Sequence, residues 1–205
     1  MSYLSYNLPM SYRDLKSYQQ AVIIYDFTSE FCNRYIKPVN QSDLSNRSYR
    51  TADQMVQAAR SGKQNIVEGS TERTSEKSEL KLVGVARASF QELLEDYEDF
   101  LRQRGLKKWE KDDSLAMEVR NLYKTNQSNQ TNRTNQTYMS YLENSEIAAN
   151  AAICLIHQAN FLLDRQIKSL EEEFIKEGGY SENLYWKREE QKKKEIIGRF
   201  WRKFQ

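Results

Sequence analysis

The residues best suited to metal or acid–base chemistry in this 205-residue chain are one histidine and two cysteines. Cys154 and His157 are three positions apart in an apolar helical pattern, so one helix face could present both as soft ligands. A closed zinc site needs four ligands, and Cys32 supplies only one more. A single imidazole also excludes most histidine-based proton transfer. We therefore expect no metal site and no cofactor, but packed, reduced cysteines and a hydrogen-bonded histidine.

Carboxylates form a second candidate set along one predicted helix, at Glu92, Glu95, Asp96 and Asp99. Di-metal sites in helical bundles combine such residues with Glu-x-x-His motifs, which this sequence lacks. We interpret the set as a solvated acidic face that pairs with basic groups on a neighbouring chain. The sequence also has no Walker loop, no dinucleotide-binding glycine pattern and no nucleophile elbow. These observations predict a protein that is not an enzyme.

Basic residues give a more suggestive pattern, because phosphate contacts need mobile cations rather than fixed geometry. One set follows the predicted second and third helices. Many bundle surfaces carry such charges, so this set is weak evidence by itself. Its members are Arg47, Arg50, Arg60, Lys63, Arg73, Lys77, Lys81 and Arg87.

The C-terminal segment Leu184–Gln205 combines positive charge with aromatic side chains. Eight basic and three acidic residues give it a net charge of +5, against +2 for the whole chain. Such a segment suits contact with the backbone and bases of RNA or DNA, or docking of an amphipathic helix on a partner protein. Packing on the preceding long helix of the same chain is the interpretation that the sequence favours. The basic residues are Lys187, Arg188, Lys192, Lys193, Lys194, Arg199, Arg202 and Lys203, and the aromatic residues are Trp186, Phe200, Trp201 and Phe204.

The composition indicates an all-α protein. Two prolines and seven glycines are few for this length, and 39% hydrophobic with 29% charged residues suits solvated helix faces around a slim core. The N-terminus lacks a signal peptide, and no window approaches the apolar length of a membrane span. We therefore expect a cytoplasmic protein without membrane contact.

Apolar residues at three- and four-residue spacing predict four bundle helices, a short extra helix and a C-terminal helix. Breaks are expected at Pro38, Gly69, Gly105 and the pair Gly178-Gly179. Ser42, Asp43 or Ser45 could cap the second helix, and Thr74 or Ser75 the third. The predicted divisions are a tail (1–11), three bundle helices and a short helix at about 113–123 (12–123), a linker (124–137), a long fourth helix (138–177) and the C-terminal helix (178–205).

The predicted linker is a near-repeat of Asn, Gln, Thr and Ser with no apolar residue. It cannot bury enough surface to offset its chain entropy, so we expect a flexible connection. The long fourth helix exceeds the others in length, and its C-terminal half is predicted to project beyond the bundle.

Two segments, SGKQNIVEG and ARASFQELLEDYEDFL, resemble the 23S rRNA intervening-sequence proteins. That family typically shows a Ser-Ile-Pro-x-Asn-Ile-Ala-Glu-Gly joint and a later Ala-Arg-Gly-Ser. Gly62 and Lys63 here replace the Ile-Pro pair, Val67 replaces Ala, and Ala88 replaces Gly. YRDLKSYQQA is similar to the family's first helix, and GGYSENLYWKR to the C-terminal extension of a subgroup with a suffix domain. The shared motif positions are Asn65, Ile66, Glu68, Gly69, Arg87 and Ser89.

The resemblance implies an antiparallel up-down four-helix bundle with an extra C-terminal helix, assembled into a homo-oligomer that is commonly a pentamer. Relatives include the accessory protein of diversity-generating retroelements, which binds a reverse transcriptase and nucleic acid. The expected partners are thus further copies of this chain, RNA or DNA, and a reverse transcriptase. Apolar residues outside the inner stripe, at Phe27, Tyr49 and Val85, also suggest assembly.

Together these observations predict a non-enzymatic, oligomeric accessory protein that binds nucleic acid or a ribonucleoprotein partner through a basic surface. The alternative is a protein-interaction scaffold with no role in nucleic-acid binding.

Overall fold

A computed structural model describes residues 11–37, 46–71, 76–125 and 137–202, and every regular element within these ranges is helical. The predicted all-α bundle is therefore confirmed. Short 3₁₀ turns occupy Tyr12–Asp14 and Ser140–Glu143, and a π-helical turn over Cys32–Ile36 extends the first helix. The α-helices are α1 (Lys16–Phe31), α2 (Asn46–Thr71), α3 (Glu76–Gln103), α4 (Ser114–Thr125), α5 (Ser145–Glu177) and α6 (Tyr180–Arg202).

Four of these helices form a ring around one core. α1 packs on α2, α2 on α3 and α3 on α5, and α5 closes the ring against α1, while α4 lies on α5. Along α2 and α3, Ser61 meets Ser89, and Gly69 meets Leu82. Because the residue number rises along α2 as it falls along α3, these two helices run antiparallel.

The core is built from the apolar stripes that the spacing predicts. Ala86 rather than Arg87 faces inward on α3, since Ala86 is fully buried. On α5 the buried positions surround the helix between Ala148 and Ile156, so its alanines allow close approach from several sides. The largest fully buried side chains are Tyr97, Tyr138, Phe27, Phe31, Phe90, Met55, Ile66, Leu93, Leu101, Leu142, Leu155 and Ile156.

The central position of α5 also corrects one expectation. The segment Ser145–Arg202 contains an 18-residue window that is long and apolar enough to cross a membrane, although no such window was expected from the sequence. About two thirds (67%) of this window is buried inside the bundle, as is usual for the core helix of a soluble protein. The α5 pattern is thus accounted for by packing.

The predicted end of the second helix at Gly69 is wrong. α2 continues to Thr71, so the segment Asn65–Gly69 lies inside a helix and is not a joint. Gly69 is buried against α3, where an added Cβ atom would lie 3.4 Å from both the Glu79 carbonyl oxygen and the Leu82 Cβ atom. A glycine inside a helix costs about 1 kcal/mol relative to alanine, and the close packing of α2 on α3 offsets that cost.

Two predicted helix ends agree with the structure, whereas α4 runs two residues into the predicted linker and the start of α5 differs. Gly105 and Gly178 end α3 and α5 with positive φ angles of 64° and 71°, and α4 occupies the place of the predicted short helix. α5 begins later than expected, because Asn144 caps it: its side chain accepts hydrogen bonds from the Glu146 and Ile147 backbone N–H groups at 2.8 and 3.1 Å. Pro38, the proposed caps Ser42, Asp43, Ser45, Thr74 and Ser75, residues 1–10 of the tail and residues 126–136 of the linker lie outside the described residues.

Candidate nucleic-acid interface

The C-terminal helix α6 leaves its large apolar side chains in solvent. Packing of this helix on α5, which the sequence favoured, is therefore not found in the described part of the chain. The exposed fractions run from 52% to 67% for Leu184, Tyr185, Trp186, Ile196, Ile197, Phe200 and Trp201. α5 also projects as predicted, since its residues from Glu171 to Lys176 are all exposed.

One face of α6 alternates aromatic and basic side chains. Trp186, Lys193 and Phe200 follow one another at seven-residue steps, which places them on the same face about 10 Å apart. Helical spacing brings Ile197 and Trp201 to the same side. We call this face, made of Trp186, Lys193, Ile197, Phe200 and Trp201, the α6 aromatic face.

Some of the cations of α6 are neutralised within the helix. Lys192 pairs with Glu189 at 2.7 Å, and Lys194 pairs with Glu190 at 2.9 Å. Hydrogen bonds from these lysines hold the pKa values of both carboxyl groups below their usual range. Exposed pairs of this kind contribute little stability, but they reduce the charge offered to a ligand.

The remaining cations of α6 stay available to a ligand. Lys187, Arg188, Lys193, Arg199 and Arg202 form no ion pair with another described residue. α6 has a net charge of +3, whereas the rest of the chain sums to −1. The positive charge is thus concentrated on one projecting helix, which would attract a polyanion to that end of the molecule.

The basic residues predicted on α2 and α3 are less concentrated. Arg50 and Arg60 are exposed on α2, ten residues or about 15 Å apart along the helix, and Lys77 and Lys81 are exposed near the start of α3. Lys63 lies over the Tyr25 ring at 3.8 Å from its centroid. Arg73 and the Arg47 side chain lie outside the described residues.

Arg87 belongs to both the basic set and the family motif, and the structure gives it an internal partner. Its guanidinium group pairs with the Asp164 carboxylate of α5, with one of the two contacts at 3.4 Å. Hydrogen bonding to Asp164 raises the pKa of Arg87. This residue therefore ties α3 to α5 and is less accessible to phosphate than the α6 cations.

Most of the other motif residues lie where α2 packs on α3. The Ser61 and Ser89 hydroxyl groups are 2.9 Å apart, and the Asn65 amide donates to the Ser61 carbonyl at 2.8 Å. Ile66 is fully buried, whereas Glu68 is exposed. The motif thus acts as a packing pattern between two helices.

The acidic residues of α3 are partly satisfied within the chain. Asp99 pairs with Arg102, and Glu95 accepts a hydrogen bond from the Gln91 amide at 3.1 Å. Asp96 lies in a shallow groove between α2 and α3, and desolvation, together with the nearby Asp99 and Glu92, raises its pKa. The expected pairing with a neighbouring chain stays a prediction.

The two thiols and the histidine are in settings that disfavour reactivity. Burial raises the pKa of Cys32 to about 12 and that of Cys154 to about 11, so both are protonated at neutral pH. Desolvation lowers the pKa of His157. Within the described ranges, no three His, Cys, Asp or Glu side chains come together in a way that could hold a metal ion.

The sequence did not predict a cavity of about 790 Å³ that is lined in part by α4 and α5. Its walls come from α1, the loop between α3 and α4, α4 itself and α5, so no single stretch of sequence signals it. Trp109, set between lysines in that loop, was the one local clue. The lining residues are Lys16, Lys108, Trp109, Glu110, Lys111, Ala116, Arg120, Ile153, Cys154, His157, Gln158, Phe161, Leu162 and Arg165.

The resemblance to the intervening-sequence proteins stays a prediction based on the motif residues. Comparison of this chain with protein-family models, with curated proteins and with solved structures finds no match.

Proposed function

We propose that this protein is a non-enzymatic, cytoplasmic accessory protein that binds RNA or DNA through the α6 aromatic face. The observation that carries this proposal is the row Trp186–Lys193–Phe200, exposed on a helix that holds the positive charge of the chain. Unpaired bases stack on exposed rings, and cations between the rings contact the phosphates.

The energetics favour an external ligand for this face. Trp186 and Trp201 are 67% and 65% exposed, so covering them removes a large apolar area from water. Stacking of a base on an aromatic side chain contributes about 1–3 kcal/mol. Lys187 lies at the edge of this face, whereas Arg188 and Arg199 lie on the opposite side of α6, so Lys193 and Lys187 are the described cations without an ion pair that stand nearest the rings.

One observation favours the second candidate, a protein-interaction scaffold. Ile196 and Ile197 are 66% and 56% exposed beside the aromatic rings, and aliphatic side chains do not stack on bases. An amphipathic helix with such a face could enter the hydrophobic groove of a partner protein. In that case, replacing tryptophan by leucine would be tolerated, because leucine remains apolar.

Assembly into a homo-oligomer, with five subunits as the family implies, is part of the proposal. Phe27 gives it no support, because this residue is fully buried in the core of a single chain. Val85 is 40% exposed on α3 and stays available for a contact between copies. A reverse transcriptase as a further partner likewise stays a prediction.

The proposal is tested by fluorescence anisotropy with labelled 20-nucleotide single-stranded RNA and DNA at low salt. Replacing Trp186 and Trp201 with leucine removes two stacking surfaces while keeping an apolar helix face. Two lost base contacts at about 1–3 kcal/mol each cost at least about 2 kcal/mol, so we expect affinity to fall at least about 30-fold. The matched control replaces Ile196, which lies beside the α6 aromatic face and is not part of it, with leucine, and its affinity should equal that of the unmodified chain. Unchanged binding by the tryptophan variant, or no binding by the unmodified chain, would favour the scaffold.

A further inference from the structure

The cavity between α4, α5 and the α3–α4 loop has the features of a ligand site. Its volume of about 790 Å³ falls in the range of small-molecule pockets in proteins. Ala116, Ile153 and Leu162 form apolar walls. Two aromatic rings, Trp109 and Phe161, line it, and Phe161 is 61% exposed although it sits on a bundle helix.

The charges around this cavity are predominantly positive. Lys16, Lys111 and Arg165 line it and form no ion pair with another described residue. Among the described residues of the lining, Glu110 is the one carboxylate. The cavity therefore combines two aromatic rings with cations that form no ion pair in the described part of the chain, and Arg165 lies over the Phe161 ring at 5.9 Å from its centroid.

Two further groups shape the cavity without adding to its available charge. Arg120 donates hydrogen bonds to the Ala116 carbonyl at 3.1 Å and to the Lys111 carbonyl, which holds the loop against α4. Lys108 is engaged with Glu98 at 2.6 Å. The positive charge offered to a ligand therefore comes from Lys16, Lys111 and Arg165.

We infer that this cavity binds a small planar aromatic anion of the size of a mononucleotide, with its ring against Trp109 and Phe161 and its anionic group near Lys111 and Arg165. We do not expect the basic helix α6 to occupy this cavity, because its positive charges would meet the lysines and arginines of the lining. A phosphorylated nucleoside supplies both a ring that stacks and an anion that pairs with arginine.

Such a ligand has two sources, a free nucleotide or a nucleotide within a bound strand. The second source rests on the proposed function, whereas the first is independent of it. If a short oligonucleotide changes the fluorescence of Trp109 in the cavity wall, the ligand is a nucleotide within a bound strand. If a mononucleotide changes this fluorescence and an oligonucleotide does not, the ligand is a free nucleotide.

The chain offers a selective reporter for this test. It contains three tryptophans, and replacing Trp186 and Trp201 with phenylalanine leaves Trp109 as the sole indole while keeping aromatic rings on α6. Titration of this variant with adenosine monophosphate should quench its fluorescence to saturation. Adenosine lacks the anion and inorganic phosphate lacks the ring, so each should bind at least tenfold more weakly.

Two substitutions connect the signal to the cavity. Arg165→Gln should weaken adenosine monophosphate binding about five- to tenfold, because it removes a charged partner of the phosphate. Arg60→Gln, an exposed site on α2 outside the cavity, should leave the titration unchanged. Absence of saturable quenching, equal affinity for adenosine, no effect of Arg165→Gln, or stronger binding of the alkyl anion decanoate would each overturn the inference. Failure of the anisotropy assay on α6 refutes the proposed function and leaves the mononucleotide result unaffected.

Discussion

The packing of α2 on α3 gives a prediction whose size can be worked out from the structure. At Gly62, an added Cβ atom would lie 2.6–2.8 Å from three carbon atoms of the Phe90 ring. Overpacking of this kind costs about 1–3 kcal/mol, whereas alanine is favoured over glycine inside a helix by about 1 kcal/mol. Gly62→Ala should therefore change the free energy of unfolding by between no net effect and a loss of about 2 kcal/mol.

Gly84 supplies the matched control, because it lies inside α3 and a Cβ atom added there would have no neighbour within 4 Å among the described residues. Gly84→Ala should gain the full helix preference, so we expect stabilisation by about 1 kcal/mol. The difference between the two variants removes the helix preference and isolates the contact with Phe90, at about 1–3 kcal/mol. Gly69→Ala, with its nearest neighbours at 3.4 Å, should fall between them.

Urea unfolding, monitored by circular dichroism, gives the free energy of unfolding of both variants by the same linear extrapolation to zero urea. A smaller Phe90→Leu side chain should relieve the clash, so the double variant should show favourable coupling. If Gly62→Ala and Gly84→Ala stabilise the protein equally, the close approach of α2 to α3 is refuted, together with the interpretation of the motif as a packing pattern.

Two further substitutions test a cap and a charge. Asn144→Ala removes the acceptor at the start of α5 and should lower the free energy of unfolding by about 1 kcal/mol, while Asn144→Asp retains it; thermal unfolding of both variants decides this. Asp96→Asn should stabilise the protein by about 0.5 kcal/mol at pH 7, because desolvation and then the charges of Asp99 and Glu92 disfavour its ionised form. Folding raises the pKa of Asp96, so the stabilisation by Asp96→Asn should grow as the pH rises through the unfolded and then the folded pKa. The stabilisation should vanish below the unfolded pKa of about 3.9. An equal stabilisation at about pH 3 and pH 7 would contradict this cause.

The sequence predicts those parts of the fold that depend on local chemistry. Gly105 and Gly178 end helices because a positive φ angle is easy only for glycine, and that preference is visible in the sequence. The apolar stripe of α3 likewise specifies its buried face. Gly69 gives the same local signal as these glycines, yet it lies inside α2, because its role depends on the surface of α3. A glycine that ends a helix can be distinguished from one that allows close packing only when the position of the neighbouring helix is known.

The candidate sites depend still more on tertiary structure. An amphipathic pattern shows that α6 has an apolar face, but it cannot show that the face remains in solvent. Arg87 looks like a free cation in the sequence, yet Asp164, 77 residues away, pairs with it. The cavity beside Trp109 is assembled from four separate segments, so its combination of rings and cations arises only on folding.

The salt dependence of oligonucleotide binding by the full chain tests the central claim most directly. Lys187, Arg188, Lys193 and Arg199 are four of the five α6 cations without an ion pair among the described residues; the fifth, Arg202, donates a hydrogen bond to the Gly198 carbonyl oxygen. Release of counterions by four contacts to a single strand predicts that the logarithm of the association constant falls with the logarithm of salt concentration with a slope of about −3. Neutralising these four residues with glutamine should bring the slope close to zero. A slope near zero for the unmodified chain, or the same slope for both proteins, would contradict binding of nucleic acid through α6.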